Sequence, residues 1–265
     1  MHVSCLARQA QVSVAEAEEN NLVAKVFNER WGRWYSCSLC EQQYHGVVKC
    51  ALGWACWKTY VGRPETDEIR GMAMSMLGNG LHAGEHYEDA FSVREAELAM
   101  RRRLGASAKI LFAVQSNLAS TYKNIGRVEE ASNMLRDVYS GYVRLNGEEH
   151  EETLRAANNY AVSLADLQRF KEAKLLMRKA MPVARRARGV DNFLTLLMRW
   201  LYANTLYKDP DATLDEVREA VSTLEDVERV ARRVLGGAHP HTVDMEQSLR
   251  KARAALRARE TPATE

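Results

Sequence analysis

The chain has 265 residues with 15 glycines and 5 prolines, fewer turn-makers than the roughly 12% of average composition. With 46% apolar and 27% charged residues, this excludes a disordered chain, a collagen-like one and a turn-rich β-sandwich. It disfavours a doubly wound nucleotide-binding fold and leaves a mostly helical protein. The 37 basic and 35 acidic side chains nearly cancel, so no overall field gathers nucleic acid or an anionic membrane, and charge recognition must be local.

All five cysteines (Cys5, Cys37, Cys40, Cys50 and Cys56) fall in the first 56 residues. That asymmetry predicts a cysteine-bearing module over 1–62 ahead of a thiol-free domain. An odd cysteine count without a signal peptide points to a reducing, cytoplasmic setting. The strings HVSCL and WYSCSLCEQQYHG carry His2, Cys5, Cys37, Cys40 and His45. Thiolate and imidazole are the ligands zinc prefers, so His2, Cys5, Cys37 and Cys40 are the candidate metal set and zinc the one cofactor the residues offer. The competing reading buries the cysteines as small apolar groups around Trp31, Trp34, Trp54 and Trp57.

His-x-x-Cys, a Trp-bearing spacer, Cys-x-x-Cys and a following Tyr resemble the second half of a RING-CH zinc finger, which implies ubiquitin transfer through a docked conjugating enzyme. The 31-residue spacer is long for that module. The chain starts directly before His2, without the first half, so each of two cross-braced sites would keep two of its four ligands. Next, VVKCALGWACWKTYVG (47–62) reads as an amphipathic helix ended by Gly62, with Pro64 forbidding continuation. It carries Lys49 and is too short to span a membrane. Its Trp54, Trp57 and Tyr60 are expected to cap the domain that follows.

Four segments of residues 68–260 superpose: MLGNGLHAGEHYEDA, SNLASTYKNIGRVEEA, NNYAVSLADLQRFKEA and LYANTLYKDPDATLDEVREA. A small residue recurs at Gly78, Ala119, Ala161 and Ala203, at intervals of 41, 42 and 42, and an alanine follows at Ala90, Ala131, Ala173 and Ala220. The last interval is five longer, matching an inserted turn around Pro210. The pattern is that of a helical hairpin whose two backbones approach closely at the small residues. Stacked hairpins bury a common core and form a solenoid. Gly105, Gly147, Gly189 and Gly236 fall where each second helix should end in a left-handed cap. Basic residues such as Arg101–Arg103, Arg185 and Arg232–Arg233 precede three of them and are read as complementing the helix dipole.

These units resemble tetratricopeptide repeats. The 42-residue spacing with LGGAHPHT (235–242), NGEEHEET (146–153) and Asn158-Asn159-Tyr160-Ala161 resembles the kinesin light chain subclass. The first linker, LGASAKIL, lacks the His-Pro-Thr element, and Pro182 should kink or shorten the second helix of the third unit. Armadillo and HEAT arrays share the period, but the small-residue register favours the tetratricopeptide reading. The resemblance implies an all-α, right-handed α-solenoid of about four hairpins, with the first helix of each lining a groove. It places peptide-contacting side chains near Ser75, Ser116, Asn158 and Trp200, with Lys123, Arg155 and Arg199 on neighbouring turns.

The string EEHEE (148–152) is read as a helix start rather than a metal site. No phosphate loop, nucleophile elbow or HExxH motif occurs, so no catalysis is expected. Residues 243–259 make a polar helix suited to cap the array, and 261–265 a disordered tail. The expected function is a non-enzymatic scaffold holding a short peptide of a protein partner in the groove, without nucleic acid or membrane. The alternative is the substrate-recognition part of a RING-CH-type ubiquitin ligase. The sequence does not fix the oligomeric state.

Overall fold

The structure, a computed structural model, describes residues 2–260. The tail expected over 261–265 lies outside the described residues. The chain divides into two compact units, one ending at Arg127 and the other starting at Val128. Among the described residues the only β-type pairing is an isolated bridge between Ser36 and Gln43, and the fold is all-α, as expected.

The first unit holds α1 (Val3–Glu19), α2 (Ala24–Trp31), a 3-10 turn (Gly32–Trp34), α3 (Gly46–Tyr60), α4 (Glu68–Ala83), α5 (Tyr87–Arg103) and α6 (Ala108–Asn124). Ala10 and Val14 of α1 pack with Trp31, Trp34, Cys56 and Tyr60 in one core that also takes Ala73 and Met76 of α4. The burial reading therefore holds for Cys56 and also for Cys50, which packs with Leu77 and Leu81. It fails for Cys5 and Cys40, which are exposed, and Cys37 is intermediate. Helix α3 packs along α4 as expected: Trp57 and Tyr60 pack with Ala73, Met76 and Leu77 of α4, whereas Trp54 is exposed. The close approach comes from glycines: Gly53 faces Gly80, and a Cβ built on Gly53 would lie 2.7 Å from the carbonyl oxygen of Met76.

The second unit holds α7 (Val128–Asn146), α8 (Glu151–Asp166), α9 (Phe170–Arg188), α10 (Phe193–Lys208), α11 (Leu214–Leu235) and α12 (Pro240–Glu260). Consecutive helices pack from α7 to α12, and α10 also touches α8 and α12. Alternate helices therefore form two layers. Their shared core includes Leu154, Met177, Met198, Leu206, Leu224 and Leu249, and fully burying one such side chain is worth roughly 1.5–3 kcal/mol.

The recurring small residues are where the hairpin argument requires them. Ala119, Ala161, Ala203, Ala90, Ala173 and Ala220 are inaccessible to solvent. The four glycines that follow the second helices all have positive φ, between 67° and 90°, a conformation glycine adopts without steric cost. Helix starts are chemically marked as well. Asp67, His150 and Asn192 accept from backbone N–H groups two residues on, and Thr213 with Glu216 forms a capping box before α11. His150 thus explains EEHEE as a helix start.

Pro182 does not shorten its helix: α9 runs unbroken for 19 residues with the proline inside. Pro182 is exposed while Ala180, Val183 and Ala184 beside it are buried. Packing thus holds both halves of α9 across the proline.

Candidate functional site

The residues expected to contact a peptide divide between the units. In the first, the Ser75 hydroxyl donates to the buried carboxylate of Glu97 on α5 and to the Gly71 carbonyl at 3.3 Å. It is therefore turned toward the neighbouring helix. Ser116 donates to the Phe112 carbonyl of its own helix at 2.9 Å, and Lys123 is exposed at the end of α6.

In the second unit, Arg155 is exposed and paired with Glu151 at 2.7 Å. Asn158, one turn further along α8, is 9% exposed, and its Oδ1 has no hydrogen-bond partner. On α10, Arg199 pairs with Asp226 at 2.6 Å. The Trp200 indole N–H donates to the Ser248 hydroxyl of α12 at 2.9 Å, and its ring lies 6.2 Å from that of His241. Since α8 packs on α10 and α10 on α12, the layer of first helices carries Arg155, Asn158, Arg199 and Trp200. Of these, Asn158 alone offers a buried acceptor that the chain leaves unused.

The expected metal ligands lie on separate elements. His2 precedes α1 and Cys5 lies in its first turn, whereas Cys37 and Cys40 sit in the loop closed by the Ser36–Gln43 bridge. That loop meets α1 at Gln9, one turn beyond Cys5, through a 3.4 Å contact between Gln9 and Ser38. Within the loop, the Cys37 N–H donates to Gln42 at 2.8 Å and the Cys37 carbonyl accepts from Glu41 at 2.9 Å. The Cys37 thiol accepts from the Cys40 N–H, from the Leu39 N–H at 3.5 Å and from the Cys40 thiol, and these bonds hold its pKa below the ordinary thiol range. Among the described residues, however, no three or more His, Cys, Asp or Glu side chains converge as a ligand group. The structure does not bring the four expected ligands together as one set, and the ubiquitin-ligase alternative gains no support.

Two charged clusters and one cavity escaped the sequence reading. Arg94 of α5 is 3% exposed and donates to the Thr121 hydroxyl, to Asn117 O at 2.5 Å and to Asn79 Oδ1 at 2.9 Å. Burial lowers its pKa to about 10. Burial, with Arg94 and Lys49 nearby, pushes His82 down to about 4. In the second unit, Lys174 of α9 reaches both Asp209 and Glu216 at 2.9 Å. The cavity lies between the end of α9, the start of α10 and the end of α11, with a volume of about 490 Å³. Its lining includes Arg185, Arg199, Arg229, Arg233 and the buried Thr195. Arg185 and Arg233 belong to basic runs that dipole complementation explained individually. Only the fold brings them to one cavity.

Residues 110–186 match the tetratricopeptide repeat family. Similar solved structures include the nearly identical TPR-like repeats of a kinesin light chain-type protein of Podospora anserina. They are 20% identical with a TM-score of 0.60, covering 75% of this chain and 90% of that one. BtubC (BKLC) from P. vanneervenii is 16% identical with a TM-score of 0.52, covering 97% and 89%. The apo form of RapI is 14% identical with a TM-score of 0.53, covering 80% and 78%. At these identities the likeness is one of fold. No curated protein sequence matches the chain significantly. The fold is thus a tetratricopeptide-type helical repeat. Among the described residues no helix is long and apolar enough to cross a membrane.

Proposed function

We propose that the chain is a non-enzymatic, cytoplasmic scaffold that holds a short extended peptide of a protein partner on the first-helix layer of its repeats. Asn158 carries this reading. Its Oδ1 is buried and unpartnered, and leaving such an acceptor unused costs about 1–3 kcal/mol. A peptide backbone N–H placed there relieves that cost, while the side-chain NH2 donates to a peptide carbonyl. Arg155 on the same helix and Arg199 and Trp200 on α10 flank it with charge and aromatic surface. In the first unit Lys123 and Ser116 are the corresponding peptide-facing groups, whereas Ser75 is turned to Glu97.

The experiment is selection of short peptides from a displayed random library against the full chain, followed by titration of the enriched sequences. Binding should weaken about tenfold in Asn158→Ala, the loss of roughly one hydrogen-bonded contact. Circular dichroism of that variant should match the parent. Enriched peptides whose affinity is the same for both proteins would show that the groove reading is wrong.

A further inference from the structure

The cavity at the α9–α10 turn has a charge imbalance that its own carboxylates do not correct. Asp226 is shared by Arg199, at 2.6 Å, and Arg229. Asp191 takes Arg233 at 2.6 Å. Arg185 also lines the cavity and, among the described residues, has no carboxylate partner. Four guanidinium groups thus face two carboxylates, leaving two positive charges in surplus.

A second observation points into the same space. Thr195 lines the cavity, is 1% exposed, and its hydroxyl has neither donor nor acceptor. It stands in the first turn of α10, where the helix dipole favours negative charge. An oxygen of a bound anion would accept from that hydroxyl, while the planar forks of the arginines take the others in pairs.

We propose that this cavity binds a phosphomonoester group. A dianion matches the two surplus charges, whereas a carboxylate would leave one uncompensated. A volume of about 490 Å³ exceeds a bare phosphate and admits the group that bears it, and Val190 and Val230 offer that group an apolar wall. The bearer is either a phosphorylated side chain of a partner or a small phosphorylated metabolite. Arg199 is shared with the peptide groove, but the inference does not rest on that reading, since Arg185, Thr195 and Arg233 are not groove residues and Asn158 does not line the cavity.

The test is calorimetric titration of the full chain at constant ionic strength with a phosphoserine tripeptide, phenyl phosphate and inorganic phosphate. The unphosphorylated tripeptide and acetate serve as controls. Saturable binding of a phosphomonoester is expected, rising between pH 5 and 7 as its second proton is lost near pH 6. It should weaken about tenfold in Arg185→Ala, the loss of one charge-assisted contact. Thr195→Val should weaken it as well, Thr195→Ser should restore it, and Asn158→Ala should leave it unchanged. Tighter binding of the tripeptide than of phenyl phosphate assigns the site to a phosphorylated partner, and the reverse order to a metabolite. Absence of saturation by either, equal binding of acetate, or affinity unchanged in Arg185→Ala would overturn the proposal. Arg185 is exposed, so its replacement keeps the test valid even where Thr195→Val fails to fold.

Discussion

His82 shows how a single side chain acquires a pH signature from its neighbours. Arg94 has only donors to offer, and its guanidinium lies 3.3 Å from His82 Nδ1, so the ring must accept there and stay neutral. Burial and the adjacent cations lower its pKa from 6.5 to about 4. Between those values the unfolded chain binds more protons than the folded one, so stability rises with pH. The contribution is fully present above about pH 6.5 and is lost as the pH falls toward 4. The midpoint of urea unfolding should therefore drop on acidification from pH 7 to 4.5 more steeply in the parent than in His82→Gln. Parallel profiles would place the titrating group elsewhere. None of this was legible in the sequence. Nothing in the sequence singles out Arg94, Glu97 and Lys174, because the groups that satisfy them (Thr121, Ser75, and Asp209 with Glu216) come from other elements.

Among the elements, the hairpin marks were legible because they are backbone constraints. A small residue is needed where helices touch and a glycine where φ turns positive, whatever the surrounding side chains. Helices α1 and α2 were not anticipated, since the buried face of α1 is built on Leu6, Ala10, Ser13, Val14 and Ala17, a weak apolar contrast beside the cysteine spacing. Trp57 and Tyr60 pack on α4 as their spacing suggested, but the close approach of the two backbones at Gly53 and Gly80 was not read from the sequence. Replacing Gly53 by alanine puts a methyl group against a backbone carbonyl, which cannot rotate away. Gly53→Ala should destabilise the chain by about 1–3 kcal/mol through overpacking, despite alanine's better helix propensity. Thermal unfolding followed by circular dichroism checks the sign. A rise in melting temperature would show that the two helices separate freely.

For the molecule as a whole, an array of stacked hairpins is only as stable as its end faces. Helix α12 lays Met245 on Leu196, Val227 and Ala231, and Leu249 and Ala252 on the larger core. A chain stopped after Gly237 loses those partners. Losing Met245 and Leu249 alone should cost about 4–10 kcal/mol on the scale of buried Leu and Met truncations, lowering the melting temperature by about 10 °C or more. Differential scanning calorimetry of the shortened chain measures this, and a melting point within a few degrees of the parent would deny α12 its capping role. The polar composition of 243–259 made that helix legible as a cap, but which core residues it covers follows only from the packing.

The lengthened turn around Pro210 has a mechanical consequence. Lys174 from the preceding hairpin grips its Asp209, Lys171 reaches Asp211 at 3.1 Å, and Arg259 of α12 donates to the carbonyls of Ala212 and Asp209. The five extra residues are clasped from both sides. A duplicated unit inserted between α11 and α12 would carry Arg259 away from these carbonyls and break the clasp. An insertion between units of regular 42-residue spacing would leave it intact. The irregular turn therefore ties α12 to the preceding hairpin, so that the position of the last helix is fixed by backbone contacts as well as by its apolar face.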